Sequence, residues 1–223
     1  MGKKGWGMKP EQYLEELVLR YPALNSVMDR LTEAYVAMEK CFRQGRKLLV
    51  AGNGGSASDS QHIVGELMKG FEKPRPLTKE QKQALLRVDS VRGAQLGRFL
   101  QRTLCAIALN ANTALDTAFA NDVNPVLCYA QQVNGYGREG DVLLAISTSG
   151  NSENILYASV AAQAVGMTVI GFTGKNGGKL AAFSNILVQV PEIKTSHVQE
   201  LQMPVYHCWC RMLEESFFGE RIC

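Results

Sequence analysis

The sequence has no large excess of charge of either sign. Lys and Arg number 24 against 21 Asp and Glu in 223 residues, which gives a net charge of +3. A nucleic-acid-binding protein usually carries a basic stripe, so we expect no nucleic-acid partner. The hydrophobic fraction of 46% is that of an ordinary globular protein, and we expect a single domain over residues 1–223.

The sequence also lacks a C-x-x-C pair among its six cysteines, and Cys208 and Cys210 are too closely spaced for a zinc knuckle. Several cysteines lie within apolar runs such as LCAIAL and VLCYA. This pattern disfavours disulfides and cysteine-ligated metals. We expect small buried thiols in a reducing compartment, and therefore a cytoplasmic protein.

No long hydrophobic run is typical of a membrane span or a secretory signal. Residues 154–174 carry no charge, but serine, threonine, glutamine and glycine interrupt them. This segment predicts a buried helix, a turn at Gly166 and a buried strand. The basic start of the chain has no apolar run behind it, so we expect neither a secretory leader nor a membrane partner.

Short apolar runs alternate with helical patterns along the chain. Five of these runs predict buried strands, at residues 47–52, 104–110, 141–147, 167–174 and 185–190. Helices are predicted at 10–44 with a break at Tyr21-Pro22, and at 57–71, 112–121, 155–165, 175–183 and 198–218. Apolar strands without period-2 alternation indicate a parallel sheet covered on both faces. We therefore predict an α/β fold in three layers, αβα, in which the middle layer is a five-stranded parallel sheet.

Residues 72–103 form the least regular stretch, which opens with two prolines and is rich in lysine and arginine. We interpret about 77–102 as an insertion that contains one or two amphipathic helices. A lid over the functional site and a solvated appendage are both open interpretations of its role.

Two Gly- and Ser-rich loops follow predicted strands and lead into helices: GNGGS at 52–56 and STSGNS at 147–152. Ligands of open α/β sheets bind at the carboxyl ends of strands, and helix N-termini favour anions. Neither loop is a dinucleotide-binding or Walker motif. Such loops are also common helix caps, but two of them at one sheet edge favour a phosphorylated small molecule.

Three histidines are present, and two of them are candidates for chemistry. His62 and Glu66 are four residues apart on a predicted helix, so they share a face. They could act in acid/base catalysis, bind a metal ion, or form an ordinary surface pair. His207 lies in the closing helix among apolar neighbours, where a core histidine is the alternative. Gln199 lies about 12 Å from His207 along a straight helix. One site that uses both would need two subunits or a kink at Pro204.

Several motifs in this order resemble the sugar isomerase (SIS) domain family. They are GNGGSxxD, HxxxEL, Asn-Asp, LLAISTSGNS, VIGFTGKNGGKLA and VQE followed by a histidine. The chain is most similar to the phosphoheptose isomerase branch, over nearly its whole length except about 77–102 and the first ten residues. The resemblance implies a flavodoxin-like sheet and an aldose–ketose isomerase of sedoheptulose 7-phosphate that acts through an enediol(ate). It also implies that Glu66 is the base and His207 its acid/base partner.

The same resemblance implies the other residues of the site. Substrate contacts are expected from Asn53, Gly54, Gly55, Ser56, Asn121, Asp122, Ser147, Thr148, Ser149, Ser152 and Gln199. Some family members bind zinc at the positions of His62, Glu66, Gln199 and His207, so one zinc ion per site is expected as an option. Family members are homotetramers with active sites at subunit boundaries.

The chain departs from the family pattern at two places. Ala57-Ser58 stands where the family often has His-Cys, and Ser196-His197 stands where an Asp-Arg usually occurs. The second change removes an expected sugar contact. An isomerase of a different ketose phosphate therefore stays open. So does a non-catalytic SIS protein that binds a sugar phosphate or a partner such as the replication initiator DnaA, although in that branch the catalytic glutamate and histidine are replaced.

Overall fold

The computed structural model describes residues 9–219, and these contain one parallel five-stranded sheet. The strands are β1 (Leu48–Ala51), β2 (Ala106–Ala108), β3 (Val142–Ile146), β4 (Thr168–Thr173) and β5 (Ile186–Gln189). Their order in the sheet is β2-β1-β3-β4-β5. Each neighbouring pair is parallel, as in the register that aligns Leu48 with Ala106 on one side and with Val142 on the other. The predicted sheet is confirmed.

The helices of the described chain cover both faces of this sheet. They are α1 (Pro10–Arg20), α2 (Met28–Arg43), α3 (Gly55–Met68), α4 (Lys79–Val88), α5 (Ser90–Phe99), α6 (Thr113–Asp122), α7 (Cys128–Tyr136), α8 (Glu153–Ala164) and α9 (Thr195–Phe218). Short 3₁₀ helices lie at Pro22–Val27, Leu109–Ala111, Pro125–Leu127 and Gly178–Phe183. The predicted break at Tyr21-Pro22 is thus a 3₁₀ turn, and the helix predicted at 175–183 is a 3₁₀ helix over its second half.

The central strands show why their sequences are uniformly apolar. Every residue of β1 and β3 is buried. Leu48 and Val50 belong to the hydrophobic cluster formed with α1, α2 and α9, whereas Leu49 and Ala51 belong to the cluster formed with α7 and α8. Successive side chains of a strand point to opposite faces, and here each face has a core.

The uncharged stretch at 154–174 folds as predicted. It contains most of α8, a turn in which Gly166 has a φ of +79°, and β4. Within residues 9–219, no helix has both the length and the apolar character that crossing a membrane requires.

The predicted insertion contains two helices, α4 and α5, which pack on each other as a hairpin. Thr78 caps α4, because the Gln81 amide donates to its hydroxyl at 3.2 Å, and Asp89 caps α5 in the same way through Arg92. The helices approach closely at Gly93, where a side chain would collide with the backbone oxygen of Leu85. The Gly at this position therefore allows the hairpin to close.

The cysteines only partly follow the expectation. Cys41, Cys208 and Cys210 are buried, but Cys105 is exposed and Cys128 is partly exposed. All five of these thiols are free, and Cys223 lies outside the described residues. The expectation of buried thiols was wrong for Cys105, because this residue precedes β2 at the rim of the sheet rather than within it.

Candidate active site

The two Gly- and Ser-rich loops lie side by side in the fold. β1 and β3 are hydrogen-bonded neighbours, so the loops that follow them meet at the carboxyl edge of the sheet. A cavity of about 310 Å³ lies between them. Its lining residues are Asn53, Gly54, Gly55, Ser56, Ile146, Ser147, Thr148, Ser152, Thr195 and Gln199, and we call this cavity the cradle.

Hydrogen bonds between side chains hold the cradle together. The amides of Asn53 and Asn154 exchange two hydrogen bonds of 2.9 Å each, which joins the first loop to the first turn of α8. The hydroxyls of Ser147 and Ser152 are 3.0 Å apart. Gly54 has a φ of +54°, a conformation that glycine adopts readily, and α3 starts directly after it. The cradle therefore combines hydroxyls with helix N-termini, an arrangement that suits a phosphate group.

Gln199 lies at the cradle rather than beside His207. A Cβ atom on Gly55 would be 2.5 Å from Nε2 of Gln199, so the glutamine amide lies directly against this glycine. Thr195, at the start of α9, lines the cavity as well and was not predicted. Thr195 was missed because we predicted that α9 begins at residue 198, three residues later than in the structure.

Two predicted contact residues lie elsewhere. Asn121 and Asp122 end α6, are exposed and hydrogen-bond to each other at 2.9 Å. They line neither the cradle nor the cavity beside His207 described below. Ser149 is exposed in its loop, where its hydroxyl accepts the Asn151 amide at 3.2 Å, and it does not line the cradle. Their role as substrate contacts stays a prediction.

A second group of polar residues lies where α3 packs against α9. His62 Nε2 is 3.3 Å from Oε1 of Glu66, and its Nδ1 is 3.1 Å from the hydroxyl of Tyr206. That hydroxyl donates to Oδ1 of Asp59 at 3.1 Å. Asp59, His62 and Glu66 recur at helical spacing on one face of α3. The pairing of His62 with Glu66 is thus observed, together with Tyr206 and Asp59, which the sequence analysis did not single out.

His207 completes this group from α9. Its ring contacts those of Tyr206, His62 and Phe71 with centroid distances of 4.8, 5.0 and 5.6 Å. Its Nε2 is buried and has no hydrogen-bond partner among residues 9–219. A core histidine normally satisfies both ring nitrogens, so this orphaned atom favours a functional histidine over the structural alternative. We call Asp59, His62, Glu66, Tyr206 and His207 the α3/α9 cluster.

Burial shifts the pKa values of His207 and Asp59 in the α3/α9 cluster. Loss of solvent lowers the pKa of His207 below the usual histidine value, and the nearby His62 lowers it further. His207 is therefore neutral at neutral pH and has one nitrogen that donates and one that accepts. Burial raises the pKa of Asp59, against the opposing effect of the hydrogen bond from Tyr206. A neutral imidazole beside a carboxylate is a suitable pair for moving protons.

Among the described residues, His207 and the cradle border two different cavities. His207 borders a cavity of about 360 Å³ that is lined from α1, the segment after α3, and α9. None of the residues lining this cavity lines the cradle. Glu66 lies eleven residues along α3 from Gly55, which corresponds to about 16 Å.

The four residues expected to bind zinc are therefore divided. His62, Glu66 and His207 belong to the α3/α9 cluster, whereas Gln199 lies against Gly55 in the cradle. α9 runs without a break from Thr195 to Phe218, so Pro204 does not bring Gln199 to His207. Within the described part of the chain, no three or more His, Cys, Asp or Glu side chains are arranged to hold a metal ion. The donor set of one chain does not fit zinc.

The residues that depart from the family pattern are placed as follows. The carbonyl of Ala57 accepts a hydrogen bond of 3.1 Å from Asn110, in the 3₁₀ helix that follows β2. His197 is exposed, and its Nδ1 lies 3.6 Å from Oε2 of Glu192. These residues do not line the cradle in one chain.

Comparison with known proteins identifies similar sequences and folds. A family model of the SIS domain matches residues 91–174. The phosphoheptose isomerase of Clostridium acetobutylicum is 35% identical over 215 residues, which cover 96% of this chain and 89% of that protein. The phosphoheptose isomerase of Methylibium petroleiphilum is 36% identical over 94% of this chain and 93% of its own length. The solved structure of a phosphoheptose isomerase from Neisseria gonorrhoeae has a TM-score of 0.70 at 31% identity and covers 92% of this chain and 96% of its own.

Proposed function

The chain belongs to the phosphoheptose isomerase family, and on that premise we propose that it converts sedoheptulose 7-phosphate into D-glycero-D-manno-heptose 7-phosphate. It is an aldose–ketose isomerase of the SIS class. The α3/α9 cluster supports the assignment of proton transfer to residues of this chain. In this cluster Glu66 lies beside His62, and the ring of His207 packs against that of His62.

Glu66 acts as the base in this mechanism. Its carboxylate removes a proton from C1 of the ketose, the electrons form a C1–C2 double bond, and the same carboxyl group returns a proton to C2. Lys69 Nζ donates to Oε2 of Glu66 at 3.0 Å, and this contact helps to hold the carboxylate in place. The side chain is only 12% exposed, and this limits competition from water.

His207 transfers the second proton. As the enediol(ate) forms and collapses, the oxygen on C2 gains a proton and the oxygen on C1 loses one. A neutral imidazole can do both, and His207, whose pKa burial lowers, lines the cavity of about 360 Å³. The contacts with Tyr206 and Phe71 hold the ring in one orientation.

The cradle anchors the phosphate. Ser56, Ser147, Thr148 and Ser152 provide hydroxyls around it, and the helix N-termini add partial positive charge. Holding the phosphate fixes the distance from the anchor to the reacting carbons, which raises the rate by orienting the substrate. Asn121, Asp122, Ser149 and Gln199 are proposed to contact the sugar or the phosphate.

We further propose that each active site forms between two copies of the chain, in a homotetramer. An extended seven-carbon phosphate spans about 10 Å from C1 to phosphorus at roughly 1.2 Å per bond. Glu66 lies about 16 Å along α3 from the cradle of its own chain. The separate cavities of His207 and the cradle support the same proposal. A neighbouring copy would bring its cradle to this chain's α3/α9 cluster.

We expect zinc only because some members of the family bind it. The donor residues of one chain are divided between two places, so a zinc site of the expected composition would need Gln199 from a second copy. No step of the mechanism above passes through a metal. A cytoplasmic location is also proposed, and the five free thiols among residues 9–219 support it.

The experiment that tests the function compares ketose phosphates of different length. We expect kcat/KM to be highest for sedoheptulose 7-phosphate, with fructose 6-phosphate and ribulose 5-phosphate as matched shorter substrates. A higher kcat/KM for a shorter ketose phosphate would assign a different substrate. Binding of all three without turnover of any would favour the non-catalytic alternative.

A further inference from the structure

Arg75 is a buried charged side chain whose contacts lie at the end of α3. The residue is 1% exposed, and only Trp209 is a larger side chain among the fully buried residues described. Its Nη2 donates to the carbonyl oxygen of Glu66 at 3.0 Å, and its Nη1 donates to that of Leu67 at 2.8 Å. Both carbonyls belong to the last turn of the helix that carries the proposed base.

These two bonds satisfy groups that a helix leaves open. The last carbonyl oxygens of an α-helix have no partner within the helix. A cation at this end also interacts favourably with the helix dipole. The planar guanidinium donates to both carbonyls at once in a fixed geometry, which a lysine ammonium cannot reproduce. The turn that bears Glu66 is therefore held by Arg75.

Glu214 holds Arg75 in place from α9. Its Oε1 accepts from Nε of Arg75 at 2.8 Å, and the two side chains are 1% and 0% exposed. The same carboxylate accepts the backbone amides of Phe71, Glu72 and Lys73 at 2.8, 2.8 and 3.1 Å. It thereby also fixes the segment that follows α3.

This segment reaches the second proposed proton-transfer residue. The ring of Phe71 contacts that of His207 at a centroid distance of 5.6 Å. One buried ion pair thus connects the backbone at Glu66 to the flank of His207. Buried ion pairs are a poor source of stability compared with apolar packing, so a role in orientation explains this one better than stability alone.

We propose that Arg75, held by Glu214, is a positioning residue that sets the distance between Glu66 and His207 during isomerisation. Arg75 acts through these residues and not on the substrate, since it is 1% exposed and its Nε, Nη1 and Nη2 donate to Glu214 and to the carbonyls of α3. This inference rests on the proposed function and deepens it by adding the residues that align its two proton-transfer groups.

The test uses Arg75→Lys, which keeps the positive charge beside Glu214 but loses the paired donors to α3. The matched control is Asp141→Asn. Asp141 is likewise 1% exposed, and it accepts the backbone amides of Lys47 and Arg138 and the ammonium of Lys47 at the amino-terminal end of β3, where the α3/α9 cluster has no contact. Glu214→Gln serves as the second variant if Arg75→Lys does not fold.

Each variant is assayed at a temperature where circular dichroism shows it folded. We expect Arg75→Lys, or Glu214→Gln in its place, to lower kcat at least tenfold while KM for sedoheptulose 7-phosphate changes less than threefold. Asp141→Asn should keep kcat within twofold of the wild type. Hydrogen exchange over residues 62–69 should be faster in the Arg75 variant and unchanged in the control.

Two results would overturn the proposal. One is an unchanged kcat in a folded Arg75→Lys or Glu214→Gln protein, and the other is an equal loss of kcat in Asp141→Asn. A wild-type protein without turnover would instead contradict the proposed function, and the exchange measurement would still report whether Arg75 holds the last turn of α3.

Discussion

The imidazole rings of His62 and His207 meet edge to face, with their centroids 5.0 Å apart, although they come from different helices. The carboxylate of Glu66 lies 3.3 Å from the first of these rings. Two imidazoles and a carboxylate thus lie together where α3 packs against α9. The proposed chemistry depends on this arrangement, and its parts can be separated by mutation.

Replacement of Glu66 by glutamine removes the proposed base while it keeps the size of the side chain. We expect the rate of isomerisation to fall by about 10²–10⁴-fold, the range typical of general acid/base residues. Binding of sedoheptulose 7-phosphate, measured by isothermal titration, should change little, because the cradle is intact. Glu153→Gln, at an exposed residue that pairs with Lys179, is the control and should be fully active. Unchanged turnover by Glu66→Gln would remove Glu66 from the mechanism.

Replacement of Ser147 by alanine tests the cradle. The Ser147 hydroxyl is 3.0 Å from that of Ser152 and lines the cavity, whereas Ser26 is exposed in the 3₁₀ helix Pro22–Val27 and does not line it. We expect Ser147→Ala to raise KM about tenfold, which corresponds to one lost hydrogen bond to a charged group. Ser26→Ala should raise KM less than twofold, because Ser26 hydrogen-bonds only to the carbonyl oxygen of Ala23. Steady-state kinetics that give equal effects for the two variants would contradict this account of the cradle.

Mixed oligomers test whether the site forms between copies. Glu66→Gln disables the base, and Ser152→Glu places a negative charge where the phosphate is proposed to bind. When the two inactive chains are co-expressed in equal amounts, a site that takes one part from each of two copies is intact in about a quarter of cases. We expect roughly that fraction of wild-type activity. Complete inactivity of the mixture would mean that both parts of a site come from one chain.

The thiols give a pH-dependent prediction. Burial raises the pKa of both Cys41 and Cys208 to about 12. At pH 8 the thiolate fraction of each is then on the order of 10⁻⁴, and it increases tenfold with each pH unit up to that pKa. We expect iodoacetamide to label the exposed Cys105 first in the native protein, as measured by peptide mass spectrometry. Equal labelling of Cys41 would contradict the packing of α2 in this fold.

Much of the fold could be predicted because strand and helix periodicity follow burial directly. β1 and β3 are buried on both faces, and their uninterrupted apolar sequences indicate this. α7 was missed because its buried face includes Gln132, whose amide donates to the carbonyl of Leu109 at 2.6 Å and to Asp116 at 2.7 Å. A polar residue buried through hydrogen bonds hides the helical pattern.

The site was predictable where strand ends or spacing along one helix determine it, as for the two loops of the cradle. His62 and Glu66 are paired as the four-residue spacing indicates, and the 12 Å estimate correctly separated Gln199 from His207. Tyr206 and Arg75 were missed, because their hydrogen bonds to α3 depend on how distant segments pack. No local pattern in the sequence encodes such contacts.

The proposed function requires that Glu66 moves a proton between C1 and C2 of sedoheptulose 7-phosphate. Its most direct test is a proton NMR time course of this substrate in heavy water, with the wild-type protein and with Glu66→Gln. We expect new aldose anomeric signals with deuterium at C2 for the wild type, and neither product nor exchange for the variant within the time that the wild type needs to reach equilibrium. A wild-type protein that is folded and oligomeric but gives neither product nor deuterium exchange would contradict the proposed function.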